Sequence, residues 1–242
     1  MTNPNNSPST LSAHALAALA EFNSEKDARE AQFARLREAA ETDAAARSAA
    51  GPLSMDAFGE DWNESQFWYS DATARTLAQQ LLAGATADMT LAVVSAPSVF
   101  VAIKNIVREQ PDLVVPRLVL LEHDNRFGVF PEFVFYDFQQ PFKLPLELKG
   151  SVDRVICDPP FLSEDCQTKA AMTVRWLCKP DPAPKKMVLC TGERMEALAL
   201  RLYRSLGVQT TTFEPAHARG LSNEFYCYAN FECDDWKWKQ QQ

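Results

Sequence analysis

The sequence predicts an α/β domain: a seven-stranded, mostly parallel sheet with one antiparallel strand near its end and helices on both faces. Three observations predict it. Short apolar runs rich in Val, Leu and Ile alternate with longer amphipathic stretches, the pattern of strands joined by helical crossovers. The last two apolar runs, 208–213 and 225–231, have no helical segment between them, which suits an antiparallel pair better than another right-handed crossover. An Asp-Pro-Pro-Phe turn directly follows the fourth run, at the sheet edge where folds of this kind bind ligands.

Residues 1–10 are polar and rich in Pro, Asn and Ser, and are expected to form a disordered tail. Residues 11–52 are dominated by Ala, Glu and Arg, with Leu16, Leu19, Phe22, Phe33 and Leu36 as sparse large apolar side chains. Helix propensity is high there and little can be buried, so an exposed helical extension ended by Gly51-Pro52 is expected, a spacer or a partner-binding helix. Residues 53–242 make the main domain. Its first helix spans 71–82 with Leu77 and Leu81 on one face, and 90–95 (TLAVVS) is a buried strand. A helix over 97–108 follows, with Pro97 in its first turn and Val99, Ile103, Ile106 and Val107 inward. Strands are predicted at 117–122 (RLVLLE), 132–136 (EFVFY) and 152–157 (VDRVIC). Ser163 caps a helix with Asp165 in its first turn and Met172 and Trp176 on its buried side. A fifth strand at 186–190 (KMVLC) leads to a helix over 193–206 that turns Met195, Leu198 and Leu202 inward.

Composition narrows the function. With 242 residues, nearly half of them hydrophobic, the chain can bury the core of one full-sized domain plus an extension. A net charge of −8 repels phosphate backbones on average and favours basic partners, so a basic protein is easier to accommodate than a long duplex. Cys157, Cys166, Cys178, Cys190, Cys227 and Cys233 form no Cys-x-x-Cys pair and have no histidine pair nearby; they read as reduced, mostly buried thiols, and no metal site is expected. No segment resembles a signal peptide or reaches the apolar length of a membrane span, so a cytoplasmic protein without membrane contact is expected.

The tetrapeptide Asp158, Pro159, Pro160 and Phe161 carries the chemistry. Two consecutive prolines fix the backbone and lack N–H groups, so carbonyls of the turn are open to hydrogen bonds from a substrate amino group. Asp158 adds a second acceptor, and Phe161 offers a ring for a flat base or a cation. Such a site suits methylation of nitrogen: the amino hydrogens are held aside while the lone pair is aimed at an electrophilic methyl. The competing reading is a rigid strand-to-helix turn in which the aspartate is a local cap.

The nucleoside half of a site is less plainly written. The loop after the first strand, Ser95-Ala96-Pro97-Ser98, contains no glycine, although its small residues still allow close backbone approach. The following helix N-terminus suits the carboxylate of an amino-acid-like ligand. Glu122, with Asp124 as its competitor, stands where an acid can chelate ribose hydroxyls. Asp137 stands where a carboxylate can accept from an adenine amino group while Phe138 packs on the ring. The run Gln66-Phe67-Trp68-Tyr69-Ser70 is either packed under the sheet edge or shapes the rim of the site. His217 reads as a structural hydrogen-bonding residue, flanking the final hairpin with Asn223 and Glu224.

Six blocks taken together resemble a known family: Asp61-Trp62 with Ser65 to Tyr69; Val94 to Val99; Glu132 to Asp137; Asp158 to Glu164; Leu189 to Gly192; and Asn223 to Phe225 with Cys227-Tyr228. They are similar to the protein-lysine methyltransferases that modify translation elongation factor 1A, a group once assigned as N6-adenine DNA methyltransferases because of the shared Asp/Asn-Pro-Pro-Tyr/Phe motif. The resemblance implies a class I S-adenosylmethionine-dependent methyltransferase fold and methyl transfer from S-adenosyl-L-methionine to a lysine of that factor in the cytoplasm. By position it makes Asp158 to Phe161 the catalytic motif. It puts Ser95, Glu122 and Asp137 in the cofactor pocket; read beside it, Ala96, Asp124, Phe138, Tyr69 and Ser70 are further cofactor candidates, and Phe67, Trp68, Phe161 and Asn223 are candidates for the substrate. A monomer without stable nucleic-acid binding is expected. The alternatives are an N6-adenine methyltransferase acting on DNA or RNA, whose target base is flipped into the pocket, and a non-enzymatic domain that keeps the fold as a scaffold.

Overall fold

The computed structural model describes residues 53–58, 66–180, 186–220 and 224–240, with helical positions at Ser24, Ala31 and Ala34. The expected tail, the rest of the helical extension, Gly51-Pro52 and Asn223 lie outside the described residues. In chain order the main elements are α1 (Asp71–Leu82), β1 (Thr90–Val94), α2 (Pro97–Glu109), β2 (Arg117–Glu122), β3 (Phe133–Phe135), β4 (Arg154–Cys157), α3 (Glu164–Leu177), β5 (Lys186–Gly192), α4 (Glu196–Leu202), β6 (Gln209–Thr210) and β7 (Phe225–Ala229). The seven strands form one sheet in the order β3-β2-β1-β4-β5-β7-β6. β1 to β5 pair in parallel, and β7 alone is reversed, antiparallel to both β5 and β6. This is a class I methyltransferase architecture.

The chain winds outward from β1 through β2 to β3, then returns to place β4 on the other side of β1. The strand order therefore switches direction between β1 and β4, and a crevice opens at their carboxyl ends. Register sets what faces it. Val94 lies between Leu121 and Cys157, so Ser95, Glu122 and Asp158, each next in sequence, leave the sheet side by side.

Two apolar clusters cover the two faces. α1 and α2 pack Leu77, Leu81, Val99, Phe100 and Ile103 against Leu91, Val93, Leu120 and Ile156. On the other face α3 and α4 bring Ala170, Ala171, Val174, Leu177 and Ala199 against Val94, Val155, Cys157 and Leu189. Burial of this apolar surface is the main stabilising term. The segment 53–58 is tied to α2, where Asn105 exchanges two hydrogen bonds with the Leu53 backbone, and Phe58 stacks on Phe127 with ring centroids 4.2 Å apart.

The structure corrects the expected faces of two helices. Met172 and Trp176 are only half-buried; the inner stripe of α3 is Cys166, Ala170, Thr173, Val174 and Leu177. Small side chains win because they let the helix lie close to the sheet. The predicted helix over 193–206 is broken into two 3-10 turns around the short α4. Ala199 and Tyr203 are buried there, whereas Met195, Leu198 and Leu202 are half-buried. Beyond the predicted strands, Thr211 bridges Trp238 and buried Trp236 packs among Phe213 and Phe231, so the C-terminal residues edge the sheet.

One buried cation holds the end opposite the crevice. Arg154, in the middle of the sheet and 3% exposed, donates to the carbonyls of Leu81, Ala83 and Gly84, the last acceptors of α1, at 2.6, 2.9 and 2.5 Å. A guanidinium there satisfies carbonyls that the helix cannot and favours the negative end of its dipole. Arg154→Ala should cost about 2–3 kcal/mol of unfolding free energy in urea titrations, since the buried Leu81 carbonyl and the part-buried Ala83 and Gly84 carbonyls lose a charged donor. A loss under about 1 kcal/mol would mean that water reaches those carbonyls freely.

Candidate active site

A cavity of about 700 Å³ opens at the carboxyl edge of the sheet, over the switch point. Its floor comes from Ser95, Ala96, Glu122 and Asp158, and its walls from Gln66, Phe67, Trp68 and Tyr69 on one side and Asp137, Phe138, Pro159, Pro160 and Phe161 on the other. His217, Arg194 and Phe225 complete it. Most residues singled out in the sequence thus face one space.

The proline turn enters this space under several constraints. Asp158 N–H continues the sheet ladder to Val94 O at 3.0 Å. Ser163, not Asp158, caps α3 by accepting from Cys166 N–H. Buried Gln167 donates to Phe161 O at 3.1 Å and to Thr191 Oγ1 at 2.9 Å. Leu162 closes on Gly192, where a methyl group would stand 2.8 Å from a Leu162 carbon, so a larger residue there would displace the Leu162 side chain. Among the described residues no backbone N–H is bonded to the Pro159 or Pro160 carbonyl. Phe161 is 37% exposed, with its ring 5.7 Å from that of Phe138.

Two carboxylates dominate the electrostatics. Burial pushes Asp158 up to about 7; the Tyr69 hydroxyl, donating to Oδ2 at 2.5 Å, pulls the other way, and the nearby Glu122 adds to the rise. Solvent reaches Asp158 through the cavity, and Oδ1 accepts no hydrogen bond from a described residue. Burial likewise pushes Glu122 up to about 7 against backbone donors His123 and Asp124, whose N–H groups meet Oε1 at 2.8 and 3.2 Å. Burial also lowers His217 to about 4, leaving it neutral between Tyr69 and Phe225, with centroids 4.9 and 4.7 Å away.

The loop without glycine solves its turn differently. Ser95 adopts a positive φ of 52°, a left-handed conformation normally left to glycine, while its N–H bonds Leu121 O at 2.9 Å. Pro97 opens α2 at the next turn, aiming that helix N-terminus at the cavity wall. Asp137 is held below the ordinary carboxylate range: burial acts to raise it, but bonds from Gln140 and the Gln139 N–H prevail.

Two expected residues are placed elsewhere, and a third is not described. Asp124 does not line the cavity; it caps the 3-10 turn Asn125–Val129 and pairs with Arg126 at 2.6 Å. Asp124 and Arg126 also grip the Gln66 amide at 3.0 and 3.1 Å, anchoring the aromatic run. Ser70 caps α1 through Thr73 N–H, which occupies its hydroxyl. Asn223 lies outside the described residues. The aromatic run is both packed and rim-forming: Trp68 and Tyr69 are buried and line the cavity, and Trp68 O and Ser70 N–H bond the 216–218 segment. The lining residues that sequence reasoning missed altogether are His123, Arg194 and Gly220, which no motif marks; Ser98, Tyr136, Leu162 and Phe225 fall within the resembling blocks but were given no role there.

The raised Glu122 predicts a pH signature. Its folded pKa near 7 exceeds the unfolded value of about 4.3, so the ligand-free fold loses stability as pH rises between them. Glu122→Gln should therefore gain about 2 kcal/mol relative to the unchanged protein between pH 5 and pH 8 in chemical denaturation. Parallel stability–pH curves would show that Glu122 titrates normally in the fold.

The probable N6-adenine methyltransferase family model matches residues 60–233. Protein-lysine N-methyltransferase EFM5 of Saccharomyces cerevisiae is 43% identical over 239 residues, covering 94% of each chain. Human EEF1A lysine methyltransferase 1 is 40% identical over 224 residues, 92% of each chain. A protein-lysine N-methyltransferase of Caenorhabditis elegans is 39% identical over 185 residues, 74% of this chain and 81% of its own. With a family model spanning the sheet, the cavity and the Asp-Pro-Pro-Phe turn, and with relatives this similar over nearly their whole length, the chain belongs to the probable N6-adenine methyltransferase family, in the company of protein-lysine N-methyltransferases.

Proposed function

We propose that this protein is an S-adenosylmethionine-dependent protein-lysine N-methyltransferase and that its substrate is translation elongation factor 1A. The observation that carries the reading is the pairing, in one cavity, of a rigid acceptor turn with a second carboxylate suited to ribose hydroxyls. Relatives named for lysine methylation of that factor support the substrate. The net charge of −8 favours a basic protein surface over a phosphate backbone. We also place the reaction in the cytoplasm, on a monomer without stable nucleic-acid binding.

The residues present fit the cofactor. Glu122 Oε2 accepts nothing from a described residue and borders the cavity, Asp137 and Phe138 border it nearby, and Ser95 folds its loop back without a side chain in the way. When bound, S-adenosylmethionine supplies an electrophilic methyl on a positively charged sulfur. The protein's own task is to prepare the nitrogen. Aromatic walls from Phe161, Phe225 and Tyr69, with neutral His217, desolvate a lysine ammonium and favour its neutral form. Asp158 Oδ1 and one of the Pro159 and Pro160 carbonyls accept its two N–H bonds, which leaves the lone pair to point along the open direction. Cationic charge in the cavity, in turn, draws Asp158 and Glu122 into their ionised forms.

Purified protein incubated with tritiated S-adenosylmethionine and elongation factor 1A should label the factor on lysine. Asp158→Asn should lower that rate at least about 100-fold, as loss of a preorganised acceptor does, with cofactor affinity kept within a few-fold in calorimetry. Label found on DNA or RNA and absent from protein would replace this reading with the adenine one.

A further inference from the structure

The motif carboxylate owes its orientation to a residue 89 positions away in sequence. We propose that Tyr69 is a positioning residue for methyl transfer: its hydroxyl fixes the Asp158 carboxyl plane through Oδ2 and reserves Oδ1 for the substrate nitrogen. The identity of that nitrogen rests on the lysine reading above; the geometry does not.

Four observations carry it. The O–H···O distance of 2.5 Å is at the short end for a bond to a carboxylate. The phenol cannot swing aside, because Tyr69 N–H donates to Ser98 Oγ at 3.2 Å, its backbone bridges His217, and its buried ring lies against the His217 ring. No other phenol is available to the motif: Phe161 has no hydroxyl, and the hydroxyl of Tyr136, the second tyrosine on the cavity, is bonded to Thr173 at 3.0 Å. The fourth is the company Asp158 keeps. The ionisable groups facing it are Glu122 from β2, Cys157 from β4, Cys166 from α3, Cys190 from β5 and Tyr69 itself. Glu122 disfavours a negative charge there, and the three cysteines are pushed up toward the neutral thiol. Tyr69 is the group that opposes the desolvation of Asp158, and its own pKa, raised by burial, keeps it a donor.

The sign follows directly. A donor to the charged form lowers a carboxyl pKa, so removing it raises that pKa and leaves Asp158 protonated, unable to accept through both oxygens, at neutral pH. The test is a carbon-13 NMR titration of aspartate carboxyls in cofactor-free protein, with Asp158→Asn identifying the resonance. The Asp158 midpoint near 7 should rise by at least about one pH unit in Tyr69→Phe. In methylation of elongation factor 1A, a deficit of about ten-fold in kcat at pH 7 should close toward pH 9, with the KM for S-adenosylmethionine unchanged. Combined with Asp158→Asn, Tyr69→Phe should have no further effect. If Tyr69→Phe does not fold, replacing the tyrosines with the more acidic 3-fluorotyrosine should move the midpoint down instead. An unmoved midpoint overturns the inference whatever the substrate is. Absence of lysine methylation by the unaltered protein overturns the earlier reading, while the titration still decides this one.

Discussion

Everything at the carboxyl edge of the sheet follows from keeping two carboxylates, Asp158 and Glu122, away from bulk water in a single cavity. A buried charge without a partner is costly, and two of like sign are worse. Among the described residues no cation bonds either carboxylate; N–H groups and the more distant Arg126 favour the charge on Glu122, and a phenol favours that on Asp158, enough to bring both near 7 and no further. The ligand-free site is thus held short of full ionisation. A positively charged ligand relieves this, and the proposed reaction brings two, a sulfonium and a lysine that enters as an ammonium before losing its proton. A neutral adenine amine would offset less of the cost, which is a physical reason, apart from any likeness, to favour lysine.

The same cost explains the way the site is braced. Asp124 and Arg126 form a surface pair that grips Gln66, and the 216–218 segment bonds the backbone on either side of Tyr69. Both reach the cavity lining, through Gln66 and His217, but neither bonds the Asp158 carboxylate. Together they set Trp68 and Tyr69 rigidly enough for a short hydrogen bond to persist. Asp124, a competitor for the ribose in the sequence, does its work from outside the cavity.

Much of the fold was legible because strand runs such as LAVV (91–94) and LVLL (118–121) are apolar throughout, as strands covered on both faces tend to be. The reversed β7 was legible from a connection without a helix. Helix faces were less so. Reading large apolar residues as the buried ones chose Met172 and Trp176, whereas close packing on a sheet prefers Ala170, Ala171 and Val174. Glu122 and Asp124 are both acidic and only two positions apart; the end of β2 shows that the former closes a strand over the crevice while the latter begins a turn. The Tyr69–Asp158 bond carried no local signal at all, since nothing about either residue names the other. Contacts between segments far apart in sequence come from tertiary packing, which a pattern along the chain does not contain.

The motif itself is less autonomous than its prolines suggest. Pro159 and Pro160 restrict the backbone, but rigidity without a reference frame aims at nothing. That frame is the β1–β4 ladder at Asp158 N–H, the Gln167 amide at Phe161 O, and the fit of Leu162 over Gly192. Each fixes a different part of the turn: its entry, its exit and its outer side. Gly192 belongs to β5 and Gln167 to α3, so the two elements flanking the turn both take part. Phe161, free of any hydroxyl bond, is the one member left to face the opening, where an aromatic surface over an incoming side chain needs no fixed polar partner. Polar orientation falls to Asp158 and Tyr69 inside, and apolar contact to Phe161 at the mouth, so the ring and the phenol functions are carried by separate residues.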